Sequence, residues 1–275
     1  MAPNYMQYAV VTEANKGIGL DICGQLAIQS TKELLTAIDE KRGLEAIEKL
    51  KSSGLSDCVI FHQLDVADLA SVASLAEFIK SQFGKLDILT EGSKSNLSEI
   101  KMIQTYDLAA ECLEINYYGA KRATEALLPL LQLSDSPRIV NVTSSLGKLE
   151  NIPDESVKGV LNDAENLTEE KIDHLLNEFL KDFEEGSLEA KGWPKYNGAY
   201  ILSKAALNAY TRIIAKKHPS FRINSVCPGY VNTDINFNTG HMTVEEAAEG
   251  LVLVALLPDD GPSGCFFERK AVSSF

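Results

Sequence analysis

The chain is constrained most by a rhythm of strand-like and helix-like stretches. Short apolar, β-branched runs recur along it: YAVV (8–11), CVIFHQL (58–64), LDIL (86–89), RIVNVT (138–143) and RINSVC (222–227). ELLTA (33–37) and CFFE (265–268) read as two further strands, while 69–83 and 106–131 carry the 3.6-residue period of helices. Apolar runs fenced by charge suit strands covered on both faces. Their alternation with helices predicts an α/β fold around one doubly wound parallel sheet. No internal repeat or low-complexity linker interrupts the pattern, so residues 1–275 are expected to form a single domain.

One segment departs from the rhythm. Between positions 154 and 189 stand twelve acidic and three basic residues, which concentrates much of the net charge of −13 there. Within it, NLTEEKIDHLLNEFLKDF (166–183) aligns Ile172, Leu175, Leu176, Phe179, Leu180 and Phe183 on one helical face. Thr168 is the expected N-cap, with Glu169 and Glu170 where the helix dipole favours negative charge. An inserted amphipathic helix laid over the body of the protein is therefore predicted, in an insert spanning 150–192.

The acidic balance argues against nucleic acid and anionic membranes as partners. No run of apolar residues is long enough to span a bilayer, and five scattered cysteines without a CxxC suit reduced thiols in the cytoplasm. The four histidines have no ligand spacing, so no metal is expected.

Two constellations carry chemistry. VVTEANKGIG (10–19) joins a strand to a helix through a turn bearing Gly17 and Gly19, the arrangement that offers backbone N–H groups to a phosphate. Asp65, expected to end the third strand, could accept a hydrogen bond from a base amine. In YNGAYILSKAALNAY (196–210), Tyr200 and Lys204 lie four apart on one helical face, where an ammonium favours the phenolate and makes the phenol a usable acid or base. RIVNVTSS ends a strand in hydroxyls, Ser144 and Ser145, at the edge where parallel sheets keep their sites. Asn116 falls inside a long helix, a poor place for asparagine unless a kink or its amide has a use.

With FHQLDVAD, FGKLDIL, INYYG, LSDSPRIVNVTSS, AYILSKAALNAYTR, VCPGYVNTD and PSGCFFERK, the chain resembles the short-chain dehydrogenase/reductase family over nearly its whole length. The likeness is greatest to its plant salutaridine reductase and menthone/neomenthol reductase group, similar to carbonyl reductase. The resemblance implies a Rossmann-type sheet and an NADP(H)-dependent oxidoreductase acting on the carbonyl or alcohol of a small hydrophobic substrate, a terpenoid or alkaloid. It implies catalysis by Asn116, Ser144, Tyr200 and Lys204. The cofactor would be held by Thr12, Asn15, Lys16, Gly17, Ile18, Gly19, Arg42, Asp65, Val66, Lys204, Pro228, Gly229, Val231 and Thr233. Because the insert of this group covers a surface that other members use to associate, a monomer is expected.

The cofactor half departs from the family pattern. Where the family reads TGxxxGIG, Glu13 replaces the first glycine. A carboxylate about 5 Å from a phosphate charge, at an effective dielectric of roughly 20, costs about 3 kcal/mol, near a hundredfold in affinity. The family's NNAG after the fourth strand is absent, with TEGSKSNLSE in its place. Ile38 stands where close relatives carry an arginine for the 2′-phosphate, leaving Lys16 and Arg42 to supply positive charge there. Glu33 sits in a strand that should be apolar, and Ser30 where a helix-stopping glycine is usual. A weakened cofactor site is expected. Two other readings stay open: a fold that uses Tyr200, Lys204 and Ser144 for proton transfer without hydride, and an inactive degenerate copy.

Overall fold

A computed structural model describes residues 6–29, 31–55, 57–92 and 105–275. Among these, eight strands are β1 (Gln7–Val11), β2 (Thr31–Ala37), β3 (Val59–Gln63), β4 (Ile88–Glu91), β5 (Arg138–Val142), β6 (Arg222–Cys227), β7 (Phe266–Glu268) and β8 (Ala271–Ser273). They form one sheet in the order β3–β2–β1–β4–β5–β6–β7–β8, parallel except for β8. Winding therefore reverses between β1 and β4, where Val10 pairs with both Leu34 and Leu89.

The two-residue period of the strands sorts their side chains into two cores. Val10, Leu34, Leu89 and Ile139 face α3 (Leu69–Gln82), α4 (Tyr106–Leu113), α5 (Ala120–Leu131) and the long helix α8 (Gly198–Lys217). Ala9, Val11, Leu35, Ile88 and Val140 face α1 (Gly17–Ile28), α2 (Glu40–Leu50) and α9 (Val244–Ala255). Side-chain caps fix where several helices begin: Asp39, Asp68 and Thr105 each accept a backbone N–H from the first turn, and Thr243 forms a reciprocal capping box with Glu246.

The stretch 106–131, which reads as one continuous helix, is divided. Between α4 and α5, Glu114–Gly119 form wider π-helical turns, and Asn116 lies buried inside them. The insert holds α6 (Glu155–Asn162) and α7 (Glu169–Glu184). Thr168 caps α7 by accepting from the Lys171 N–H at 3.4 Å, and Ile172, Leu175, Leu176 and Phe179 are buried beneath it. Leu180 and Phe183 pack half-buried against the same core.

Asp65 does not end the third strand. β3 stops at Gln63, and the Asp65 carboxylate accepts from the Ala67 N–H at 2.9 Å, closing a local turn of the kind aspartate favours. Ser30 and most of the segment after LDIL lie outside the described residues.

Candidate active site

The C-terminal edge of the sheet is where a doubly wound fold keeps its crevice. Five pieces of chain converge there: the β1–α1 turn, the end of β4, the residues after β5, the start of α8 and the loop after β6.

The β1–α1 turn suits a phosphate. Gly17 has φ +56, and a Cβ on Gly19 would lie 2.8 Å from both the Ala14 Cα and the Glu13 carbonyl oxygen. Only glycine lets the backbone close this tightly. The first turn of α1 has no side-chain cap, which leaves the helix N-terminus available to an anion. Glu13 itself is held at φ +53, in the left-handed region that glycine occupies without cost. The missing glycine thus leaves its conformation behind.

The loop after β6 seats on this turn. Ile18 packs against Val231, Met242 and Ala247, and a Cβ on Gly17 would lie 3.9 Å from Thr233 Cγ2. Lys16 Nζ bonds Asp234 Oδ2 at 3.0 Å across the gap. Pro228 and Gly229 lead from β6 into this loop, Gly229 at φ +94. Lys16 and Arg42, expected to serve one phosphate, are engaged on different elements: Lys16 with Asp234, and Arg42 with Asp39 at 3.5 Å. Asn15 is half-buried in the turn, Thr12 is buried at its start, and Val66, also buried, accepts a bond from Arg122 through its carbonyl.

Tyr200 and Lys204 stand together on α8, with Lys204 Nζ 5.6 Å from the centroid of the phenol ring. Lys204 is fully buried, and its ammonium donates to the Val142 carbonyl at the end of β5 at 3.1 Å. Ser144 follows that strand, and its Oγ accepts from the Leu146 N–H in a tight turn. Three residues on, a Cβ at Gly147 would lie 2.6 Å from Lys204 Cβ, so this turn can press on α8 only because that residue is glycine. Asn208 holds the same contact by donating to the Gly147 carbonyl at 3.3 Å. The Asn116 amide donates to Ser203 Oγ at 3.3 Å and to Cys112 Sγ at 3.4 Å, and Ser203 Oγ donates to the Tyr200 carbonyl at 2.8 Å. The π-helical turns of 114–119 thereby connect to the backbone of Tyr200.

Sequence reasoning missed three participants. Ser203 lies inside the YxxxK motif, where only its spacing from Asn116 in space gives it a role. Asp234 became visible only with its partner Lys16. Glu91 closes β4, buried, with Thr12 Oγ1 donating to its Oε2 at 3.1 Å. No sequence motif marks it, since its place follows from burial beside Thr12.

Comparisons with known proteins agree with this fold. The short chain dehydrogenase family profile matches residues 7–155, and one described as enoyl-(acyl carrier protein) reductase matches residues 186–253. The (+)-neomenthol dehydrogenase of Arabidopsis thaliana is 54% identical over 296 aligned positions that span all of both chains. Against 275 residues, that alignment leaves at least 21 positions without a counterpart in this chain. Carbonyl reductase [NADPH] 1 of Bos taurus is 34% identical, covering 96% of each. The structure of salutaridine reductase from Papaver somniferum superposes with a TM-score of 0.89 at 48% identity, over 95% of this chain and 99% of that one. On the sheet order, the glycine turn and these likenesses together, the chain belongs to the short-chain dehydrogenase/reductase family of oxidoreductases.

Proposed function

We propose that this chain is an NADP(H)-dependent carbonyl reductase, or the corresponding alcohol dehydrogenase, for a small hydrophobic terpenoid or alkaloid, and that its cofactor site is weakened. The observation that carries the reading is the buried Lys204 ammonium beside the Tyr200 ring, with the turn after Ser144 pressed onto the same helix. NADPH, when bound, supplies the hydride. The residues to hold it are Thr12, Asn15, Lys16, Gly17, Ile18 and Gly19 of the β1–α1 turn, with Asp65, Val66 and Arg42 toward the adenosine end and Lys204, Pro228, Gly229, Val231 and Thr233 toward the other.

Ser144 Oγ donates a hydrogen bond to the substrate carbonyl oxygen, and the Tyr200 hydroxyl passes its proton to that same oxygen. Lys204 stabilises the phenolate left behind, since an ammonium in a dry site offsets the new negative charge far more than water-screened lysine would. Asn116, through Ser203, fixes the Tyr200 backbone so that the phenol meets the oxygen at one angle. Exposed Leu146, two residues after Ser144, and exposed Tyr230 and Phe237 on the loop after β6 favour an apolar substrate over a charged one. We read the chain as one domain and a monomer, because α7 covers the flank of α4 and α8. Names of relatives support the same class: they include a neomenthol dehydrogenase, a salutaridine reductase and an NADPH carbonyl reductase.

The test is a pair of measurements on Tyr200→Phe with a monoterpene ketone and NADPH. Turnover is expected to fall roughly 10²–10⁴-fold, the size of a lost proton donor, with NADPH fluorescence titrations unchanged. No NADPH binding by the wild-type chain up to millimolar concentration overturns the redox reading. Unaltered turnover in the variant removes Tyr200 from the mechanism.

A further inference from the structure

Glu91 occupies a revealing place in this sheet. It is the last residue of β4, beside β1, at the point where winding reverses and a dinucleotide lies across the strand ends. Its side chain shares a face with Leu89, toward α8, and the residue is 1% exposed. Support for the carboxyl is thin. Oε2 accepts from Thr12 Oγ1 at 3.1 Å, and Thr12 Oγ1 in turn accepts from the Gly92 N–H at 2.7 Å. Oε1 has no hydrogen-bond partner among the described residues. An ionised carboxylate removed from water needs several donors, whereas the neutral acid tolerates one.

Among the described residues, the charged and titratable groups around it give little help. On the β1–α1 turn the neighbour is Glu13, another acid, whose Cβ would lie 2.9 Å from a Cβ on Gly92. On β5 the register partner is Asn141, which is neutral. α8 brings Tyr210, whose phenol is pushed up by burial and by several acids including Glu91, and Lys204, whose ammonium is committed to the Val142 carbonyl. Burial accordingly pushes the Glu91 carboxyl up to about 8 against the opposing bond from Thr12.

We propose that Glu91 makes dinucleotide binding by this chain proton-linked: the acid is held neutral in the complex, so wherever the free acid is ionised the cofactor enters together with a proton taken from solvent. The inference rests on the dinucleotide reading above and adds a determinant of affinity to it. A pyridine dinucleotide brings phosphate charge to the crevice and displaces water from it. Both changes penalise an ionised Glu91, and neither penalises the neutral acid. Linkage then requires affinity to fall as pH rises through the titration of the free carboxyl and to be flat below it, where the acid is already protonated. An amide at this position would be indifferent to pH.

The experiment measures NADPH binding by fluorescence at pH 7.0 and 9.0, for the wild-type chain and for Glu91→Gln. Wild-type affinity is expected to weaken by up to about tenfold more than that of the variant over this span. Calorimetry of the wild-type chain at pH 8, in buffers of different ionisation enthalpy, should count about half a proton taken up per NADPH bound. That count decides the matter if the variant fails to fold. Parallel pH profiles, or no proton uptake, overturn the inference and leave the cofactor reading standing. Absence of NADPH binding at both pH values overturns both.

Discussion

Glu13 shows what a single missing glycine costs. At φ +53 a side chain meets its own backbone, a penalty of about 1–2 kcal/mol, part of which glycine returns through its greater freedom in the unfolded chain. The acid also stands in a turn shaped for phosphate. Glu13→Gly is expected to raise the melting temperature by about 2–4 °C, corresponding to roughly 1 kcal/mol in a chain of this size. It should also tighten NADPH at least tenfold in a fluorescence titration. A higher melting temperature with unchanged affinity would mean that the carboxylate turns away from the phosphate and only the backbone account survives. The sequence disclosed the substitution, because an expected glycine was visibly absent. It did not disclose Glu91, whose importance comes from burial beside Thr12 and from no motif.

At the scale of elements, legibility followed the length of the periodic signal. The strands of the central sheet lie within two residues of the apolar runs, and α7 begins at its expected cap because an amphipathic stripe and a threonine agree. β8 is three residues long and α6 eight, with only Val157 and Leu161 buried, so neither carries enough period to stand out. The π-helical turns around Asn116 were signalled only by an asparagine in an awkward place. What anchors α7 was not legible, since the ion pairs join residues far apart in the chain. Lys121 on α5 bonds Asp173 at 3.0 Å and Glu169 at 3.2 Å, with about a sixth of its side chain exposed, and Lys217 on α8 also pairs with Glu169. Removing the central cation strands acids in a half-dry seam. Lys121→Met should therefore cost about 2 kcal/mol in urea unfolding, less than the roughly 3–5 kcal/mol of a fully buried pair. A cost below about 0.5 kcal/mol, typical of an exposed pair, would show that the apolar stripe alone docks the insert.

For the whole molecule, two opposed sets of carboxyls determine how stability responds to pH. Bonds from Arg138 and Ser136 hold Asp259 below its usual range, and for Glu169 the bonds from Lys217 and Lys121 outweigh burial. Groups lowered in this way stabilise the fold above their unfolded pKa and lose that contribution as pH falls. Glu33 and Glu91 act in the reverse sense. Glu33 on β2 is fully enclosed near Cys23 of α1, with neither carboxyl oxygen partnered among the described residues, and burial pushes it well above 4.5. A raised acid contributes stability fully below its unfolded pKa, and loses it as pH climbs through its folded one. The two sets overlap only in mildly acidic solution, so the melting temperature should peak near pH 5 and decline toward pH 8. Glu33→Leu, which replaces the orphaned acid by a residue suited to the surrounding aliphatic layer, should gain about 2 kcal/mol at pH 7.5, or roughly 4–8 °C. Its advantage should shrink at pH 5, where the unfolded chain gains less from ionising this carboxyl. Thermal melts of both chains across this range decide it: an equal gain at every pH would mean that packing, and not the proton, is what Glu33 costs the fold.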